Sequence, residues 1–134
     1  MRVRVSGGSM EPTYPSGRVL LASRLVLWLR APRRGEVVAF RSPDDSARLE
    51  LKRVIGLPGE VVSWQPGGAF RINHQPLDEP YARCAPPPPG DDDSGERSVP
   101  PRRYFLAGDN RLYSRDSRRY GPVDRRALIA VIIG

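Results

Sequence analysis

Several residue types occur only once in this 134-residue chain, and each scarcity excludes a class of chemistry. The single cysteine, Cys84, rules out an internal disulfide and a cysteine metal cluster. It lies beside a run of prolines and reads as an incidental thiol. The single histidine, His74, lies in the turn-like run Asn73-His-Gln-Pro76 and reads as a loop residue without function. Of 22 basic residues only Lys52 is a lysine; the rest are arginines. No apolar run approaches the ~20 residues of a membrane-spanning helix, Ala127–Ile133 being among the longest. No signal-peptide pattern is present. Ser9 lies so near the start that any membrane anchor is expected to lie outside this chain. No zinc spacing, aromatic-basic interleaving or helix-turn-helix pattern occurs, which argues against nucleic acid as a partner.

What is abundant is arginine, proline and glycine. The formal net charge is +7, and the arginines are scattered along the whole length rather than gathered on one helical face. Two readings stand: arginine-rich codon usage, or attraction to an anionic surface such as a membrane. The length suits one domain, 1–134, with a modest core. Fifteen prolines and 13 glycines punctuate short apolar stretches. Strands are predicted at Met1–Val5, Val19–Ala22 (short and buried), Glu36–Phe40, Leu49–Ile55, Glu60–Trp64, Ala69–Asn73 and Arg103–Ala107, with a final apolar segment, Leu128–Ile133, closing the sheet. Ser23–Arg30 is nearly continuous in apolar residues. It reads as a strand or one helical turn belonging to the ordinary core, with an exposed lip touching lipid as the second reading. Residues 85–101 hold four consecutive prolines and three consecutive aspartates. Such a stretch buries no core and reads as a flexible insertion loop. Many short strands divided by glycine and proline turns indicate a mainly β fold.

The stretch Ser6-Gly-Gly-Ser-Met-Glu-Pro-Thr13 makes little sense as packing. Two glycines relax the backbone before a serine, and a proline follows three residues later, so Ser9 is presented on a sharp corner. A serine hydroxyl is a weak nucleophile and needs a base. Arginine cannot be deprotonated in a protein, whereas lysine can, which singles out Lys52. Leu51, Val54 and Ile55 are apolar neighbours able to dry the site, and in a strand Val54 shares a face with Lys52 while Arg53 points away. At a reference pKa of about 10.4 only about one lysine in a thousand is neutral at pH 7, so burial must lower it.

Ser9–Thr13, Arg33–Phe40, Lys52–Glu60 and Gly108-Asp-Asn-Arg-Leu-Tyr-Ser-Arg-Asp-Ser-Arg118 resemble, in order, the sequence boxes of bacterial type I signal peptidases. Asn73–Tyr81 resembles the turn and strand that family carries before its final box. The resemblance implies a β-rich serine endopeptidase of the signal-peptidase fold, removing signal peptides from exported preproteins on the outer face of the cytoplasmic membrane without metal or cofactor. By position it makes Ser9 the nucleophile and Lys52 the general base, with Ser114 orienting the lysine. Asp116 with Arg118, and Arg53 with Asp109, form supporting pairs. The substrate would add as an extended strand between Arg2–Val5 and Leu49–Leu51, with Val5, Met10 and Leu51 lining a pocket for a small side chain such as alanine. The oxyanion would rest on the backbone N–H groups of Ser9 and Gly7, chiefly that of Ser9, because Gly7 has no hydroxyl where relatives often carry a serine. The large secondary domain of some relatives is reduced here to residues 85–101.

Three other readings compete. One is a maturation protease of the same superfamily dedicated to a single precursor, such as that of a nickel superoxide dismutase. Another is a self-cleaving stress-response repressor, which needs a DNA-binding domain and a cleavable linker ahead of the serine, where this chain has eight residues. The third is a non-enzymatic β domain, against which the retained Ser9, Lys52 and Ser114 argue.

Overall fold

The computed structural model describes residues 1–90 and 92–134; residue 91, within the 85–101 segment, lies outside the described residues. Among the described residues eleven strands form two antiparallel sheets. The larger joins β1 (Arg2–Arg4), β2 (Val19–Ser23), β11 (Leu128–Ile132), β3 (Val37–Arg41), β4 (Leu49–Gly56), β9 (Arg103–Ala107) and β10 (Val123–Asp124), in that spatial order. The smaller runs β7 (Gln75–Pro76), β6 (Phe70–Ile72), β5 (Val61–Trp64) and β8 (Gly95–Ser98). The last strand in sequence sits inside the large sheet, between β2 and β3, so the carboxy-terminal apolar run does close it.

Alternation in β3 and β4 divides the large sheet into two faces. Val38, Phe40 and Val54 join Leu106, Leu128 and Val131 in one buried cluster. Val37, Ala39 and Leu51 join Val5, Met10 and Leu20 in another, under the serine corner. A third cluster serves the small sheet: Phe70 and Phe105 meet edge-to-face at 5.5 Å between ring centroids, with Trp64 5.7 Å from Phe105. Such ring pairs add roughly 0.5–1.5 kcal/mol beyond area burial. Gly95 is required beside them, since a Cβ there would come within 2.4 Å of the Trp64 ring.

β4 is the hinge between the site and the rest. It pairs β3 along Leu49–Arg53 and β9 only from Arg53 onward. The edge of Leu49–Lys52 on the β9 side is therefore unpaired, and β1, at the end of the sheet, also has an open edge.

Three readings of the sequence need correction. Val19–Ala22 alternates exposed and buried rather than being buried throughout, because β2 has solvent on one face. Ser23–Arg30 holds a five-residue helix, α1 (Leu25–Leu29), that is not ordinary core: only Val26 and Leu27 pack inward, and Trp28 is 88% exposed. A single helical turn has too narrow an inner face to bury five consecutive apolar side chains. The 85–101 segment does contribute to the core. Its last third forms β8 against β5, and Val99 is buried beside Val62 and Phe105.

Candidate active site

Ser9 sits on a turn held from two directions. Within the corner, Gly7 adopts a φ of +80°, and Tyr14 N–H donates to Met10 O at 2.9 Å. From across the fold, Asn110 N–H donates to Ser9 O at 2.9 Å and its side-chain amide to Gly8 O at 3.0 Å. Gly108 lies so close that a Cβ would fall 2.6 Å from Ser9 O and 2.2 Å from Ser114 Oγ. The loop that opens the last sequence box is thus pressed directly against the serine corner.

Lys52 reaches this corner from β4, with Nζ 2.7 Å from Ser9 Oγ. It is only 5% exposed. Burial is the main cause holding its pKa below the ordinary lysine value; the Glu50 and Asp116 carboxylates push the other way, and Arg48 lowers it. Desolvation therefore outweighs the nearby negative charge, the balance that a neutral amine needs.

The Asp116 carboxylate ties the last box together. It accepts from Ser114 Oγ at 2.8 Å, Gly108 N at 3.1 Å and Arg118 Nε at 2.9 Å, and it caps α2 (Ser117–Tyr120). Ser114 Oγ also accepts from Gly108 N at 3.1 Å. Among the described residues Ser114 makes no hydrogen bond to Lys52, so the implied lysine-orienting bond is replaced by one to Asp116. The serine's single proton is committed there. Gly7 also departs from expectation: its N–H donates to Ser16 Oγ at 3.2 Å and is not free for an oxyanion. The N–H groups of Gly8, Ser9 and Met10 donate to no protein acceptor among the described residues. Ser9 N–H is the donor the sequence reading favoured.

Beneath the site lie three buried arginine–carboxylate pairs. Arg53 grips Asp109 with two bonds, at 2.8 and 2.6 Å, stacks 3.9 Å from the Tyr81 ring centroid and donates to Gly35 O. Arg118 pairs with Asp116. Arg111 pairs with Glu79 and donates to the carbonyls of Gly108 and Gly68. A cleft of about 470 Å³ opens above, lined by residues 1–10 and 48–52 with Tyr113 and Arg115. Val5, Met10 and Leu51 lie in its wall. A larger groove, about 740 Å³ and lined in part by Leu27 and Trp28 of α1, shares no residue with it. Only the smaller cleft contains the serine–lysine pair.

A family model described as "Signal peptidase, peptidase S26" matches residues 1–133. The chain belongs to this family. It is 34% identical to signal peptidase I V of Bacillus subtilis over 96% of its own length and 81% of that protein's. It is 37% identical to a probable signal peptidase I-2 of Synechocystis, spanning 93% of this chain but 57% of that one. The crystal structure of an Enterococcus faecalis signal peptidase I superposes with a TM-score of 0.63 at 29% identity, covering 78% of this chain and 98% of that one. The fold is mainly β in both the reading and the structure.

Sequence reasoning paired Ser9 with Lys52, which lie in contact, and did not single out Asn110, Arg111 or Glu79. Asn110 and Arg111 lie inside the Gly108–Arg118 box, but nothing in the linear order says that Asn110 clamps the Ser9 corner. Glu79 lies in the turn-rich run Asp78-Glu-Pro-Tyr81, and nothing local in sequence pairs its charge with Arg111, 32 positions on.

Proposed function

We propose that this signal peptidase cleaves exported precursors by a Ser9–Lys52 dyad, on the strength of the 2.7 Å contact between a buried lysine amine and a hydroxyl on a glycine-rich corner. The neutral amine takes the Ser9 proton as Oγ attacks the scissile carbonyl. The tetrahedral oxyanion is held by the Ser9 N–H, a donor fixed in place before the reaction begins. Lys52, now an ammonium, returns the proton to the departing amine. Water, deprotonated by the same lysine, then hydrolyses the acyl-enzyme. Asp116 and Asp109 hold the floor through Arg118 and Arg53 and touch no reacting atom.

The substrate lies as an extended strand between the open edges of β1 and Leu49–Lys52, making the main-chain bonds those edges leave unmade. Val5, Met10 and Leu51 admit a small side chain next to the scissile bond, and alanine fits. The enzyme acts at the outer face of the cytoplasmic membrane. Among the described residues no helix is long and apolar enough to cross a membrane. A protease dedicated to one precursor gains no support from the relatives, most of which are named signal peptidase I.

Incubation with a precursor bearing an Ala-x-Ala site, in lipid or detergent, tests this reading. Cleavage after the final alanine by the parent, and none by Ser9→Ala, is the expected result. A folded parent that leaves the precursor intact would overturn it. The pH profile supplies a second check. The Glu50 carboxylate raises the Lys52 pKa, so Glu50→Gln lowers it further and more amine is neutral at a given pH. The acid limb of kcat/KM is expected to move to lower pH in Glu50→Gln; a shift to higher pH would contradict the assignment of that limb to Lys52.

A further inference from the structure

The cleft that holds Ser9 and Lys52 carries an unbalanced charge in its lining. Arg2, Arg4, Arg48 and Arg115 line it, against a single lining carboxylate, Glu50. Arg115 is neutralised by Asp44 at 2.7 Å. Arg48 stands 3.9 Å from Glu50 on a largely exposed arm. Arg4 donates only to the Gly17 carbonyl, and neither Arg2 nor Arg4 has a carboxylate partner among the described residues. Four arginines less Glu50 and Asp44 leave a charge of +2 (4 − 2) beside the substrate path.

The strand geometry decides which substrate residues meet this charge. On β1 the side chains alternate: Val3 and Val5 turn toward the apolar cluster, while Arg2 and Arg4 are exposed. A peptide paired to that edge alternates in the same way. The residue next to the scissile bond and the one two before it enter the apolar wall. The residue between them, and the one two further upstream, point to the side where Arg2, Arg4 and Arg48 stand.

We infer that this enzyme selects precursors bearing an acidic side chain at these outward positions, the middle residue of Ala-x-Ala above all, and disfavours a basic one there. The inference rests on the proposed strand-like substrate path. Guanidinium groups suit the role because they offer paired donors to a carboxylate. The charge sits on exposed arms, so the preference is screened by salt.

Quenched peptides with Asp, Ala or Lys at the middle position, and a second set varied two residues upstream, test it. Each is measured at about 20 mM and about 0.5 M salt, on either side of physiological screening. At low salt kcat/KM is expected to rank Asp above Ala above Lys, with Asp about tenfold over Lys, as two or three exposed pairs supply. The ratio should fall toward one at high salt and in an Arg4→Gln, Arg48→Gln double variant. Labelled peptides binding to Ser9→Ala give the same ranking by fluorescence anisotropy without any cleavage. If the Ala peptide is cut and the three are equal, or the ratio survives in the double variant, the selection is wrong and the peptidase reading stands. If none is cut, the peptidase reading falls, and the anisotropy ranking still decides: tightest binding of Asp supports the selection, and a flat ranking overturns it.

Discussion

Lys52→Met is expected to cost about a thousandfold or more in kcat/KM while making the folded protein more stable at neutral pH. The two effects have one cause. Lys52 is nearly enclosed, and burial holds its pKa below the ordinary lysine value. Because the folded pKa lies below the unfolded one, folding works against protonation of the amine, and this cost is complete below the folded pKa. The parent's stability should therefore rise as pH climbs from the folded pKa toward the unfolded value of about 10.4. Methionine matches the stem in length, fills the same space and has no proton to lose. Thermal midpoints for parent and variant should differ most near neutrality and converge as the pH approaches about 10. An inactive variant whose midpoint falls below the parent's at neutral pH would mean that Lys52 is held charged by partners. The base would then have to be found elsewhere.

The same physics explains why this residue was legible before any coordinates. A lone lysine among arginines, flanked by Leu51 and Val54 in a strand pattern, is an amine placed where water is excluded. The strand series was legible for a related reason: period-two alternation and glycine or proline turns are local properties, and eight of the eleven strands among the described residues fall on predicted strand segments. What could not be read depends on contacts between distant segments. Whether Leu25, Trp28 and Leu29 are buried depends on what packs over α1, and none of the described residues does so closely enough to cover them. Val99 follows a stretch whose composition denies it a core, yet pairing with β5 carries it under Phe105. That Ser114 bonds Asp116 and not Lys52 depends on how the loop around it folds, which a sequence box does not encode. Asn110 is the largest omission. Its two bonds to the serine corner join residues about a hundred positions apart.

Those long-range ties make the floor of the site the place where one substitution does most harm to the fold. Asp109→Ala is expected to destabilise by about 3–5 kcal/mol, the usual result of stripping one partner from a buried pair. Asp109 is fully buried. It accepts two bonds from Arg53 and one from Thr13 Oγ1 at 2.6 Å, so its loss leaves a buried guanidinium with only Gly35 O and the Tyr81 face. It also sits between Gly108 and Asn110, both pressed against the Ser9 carbonyl, so the folded fraction should lose activity as well. The exposed Arg126 arm, paired with Asp124, supplies the contrast: Arg126→Gln should leave the unfolding midpoint within error. A double variant, Arg53→Met with Asp109→Leu, separates burial of an unpaired charge from loss of packing. It should recover much of the single variant's deficit in urea unfolding, because no charge remains in the apolar floor. If the double variant is as unstable as the sum of the two single changes, the pair contributes through shape and not through charge. Activity should not return in the double variant even where stability does, because the loop that carries Asn110 to Ser9 is anchored through Asp109 itself.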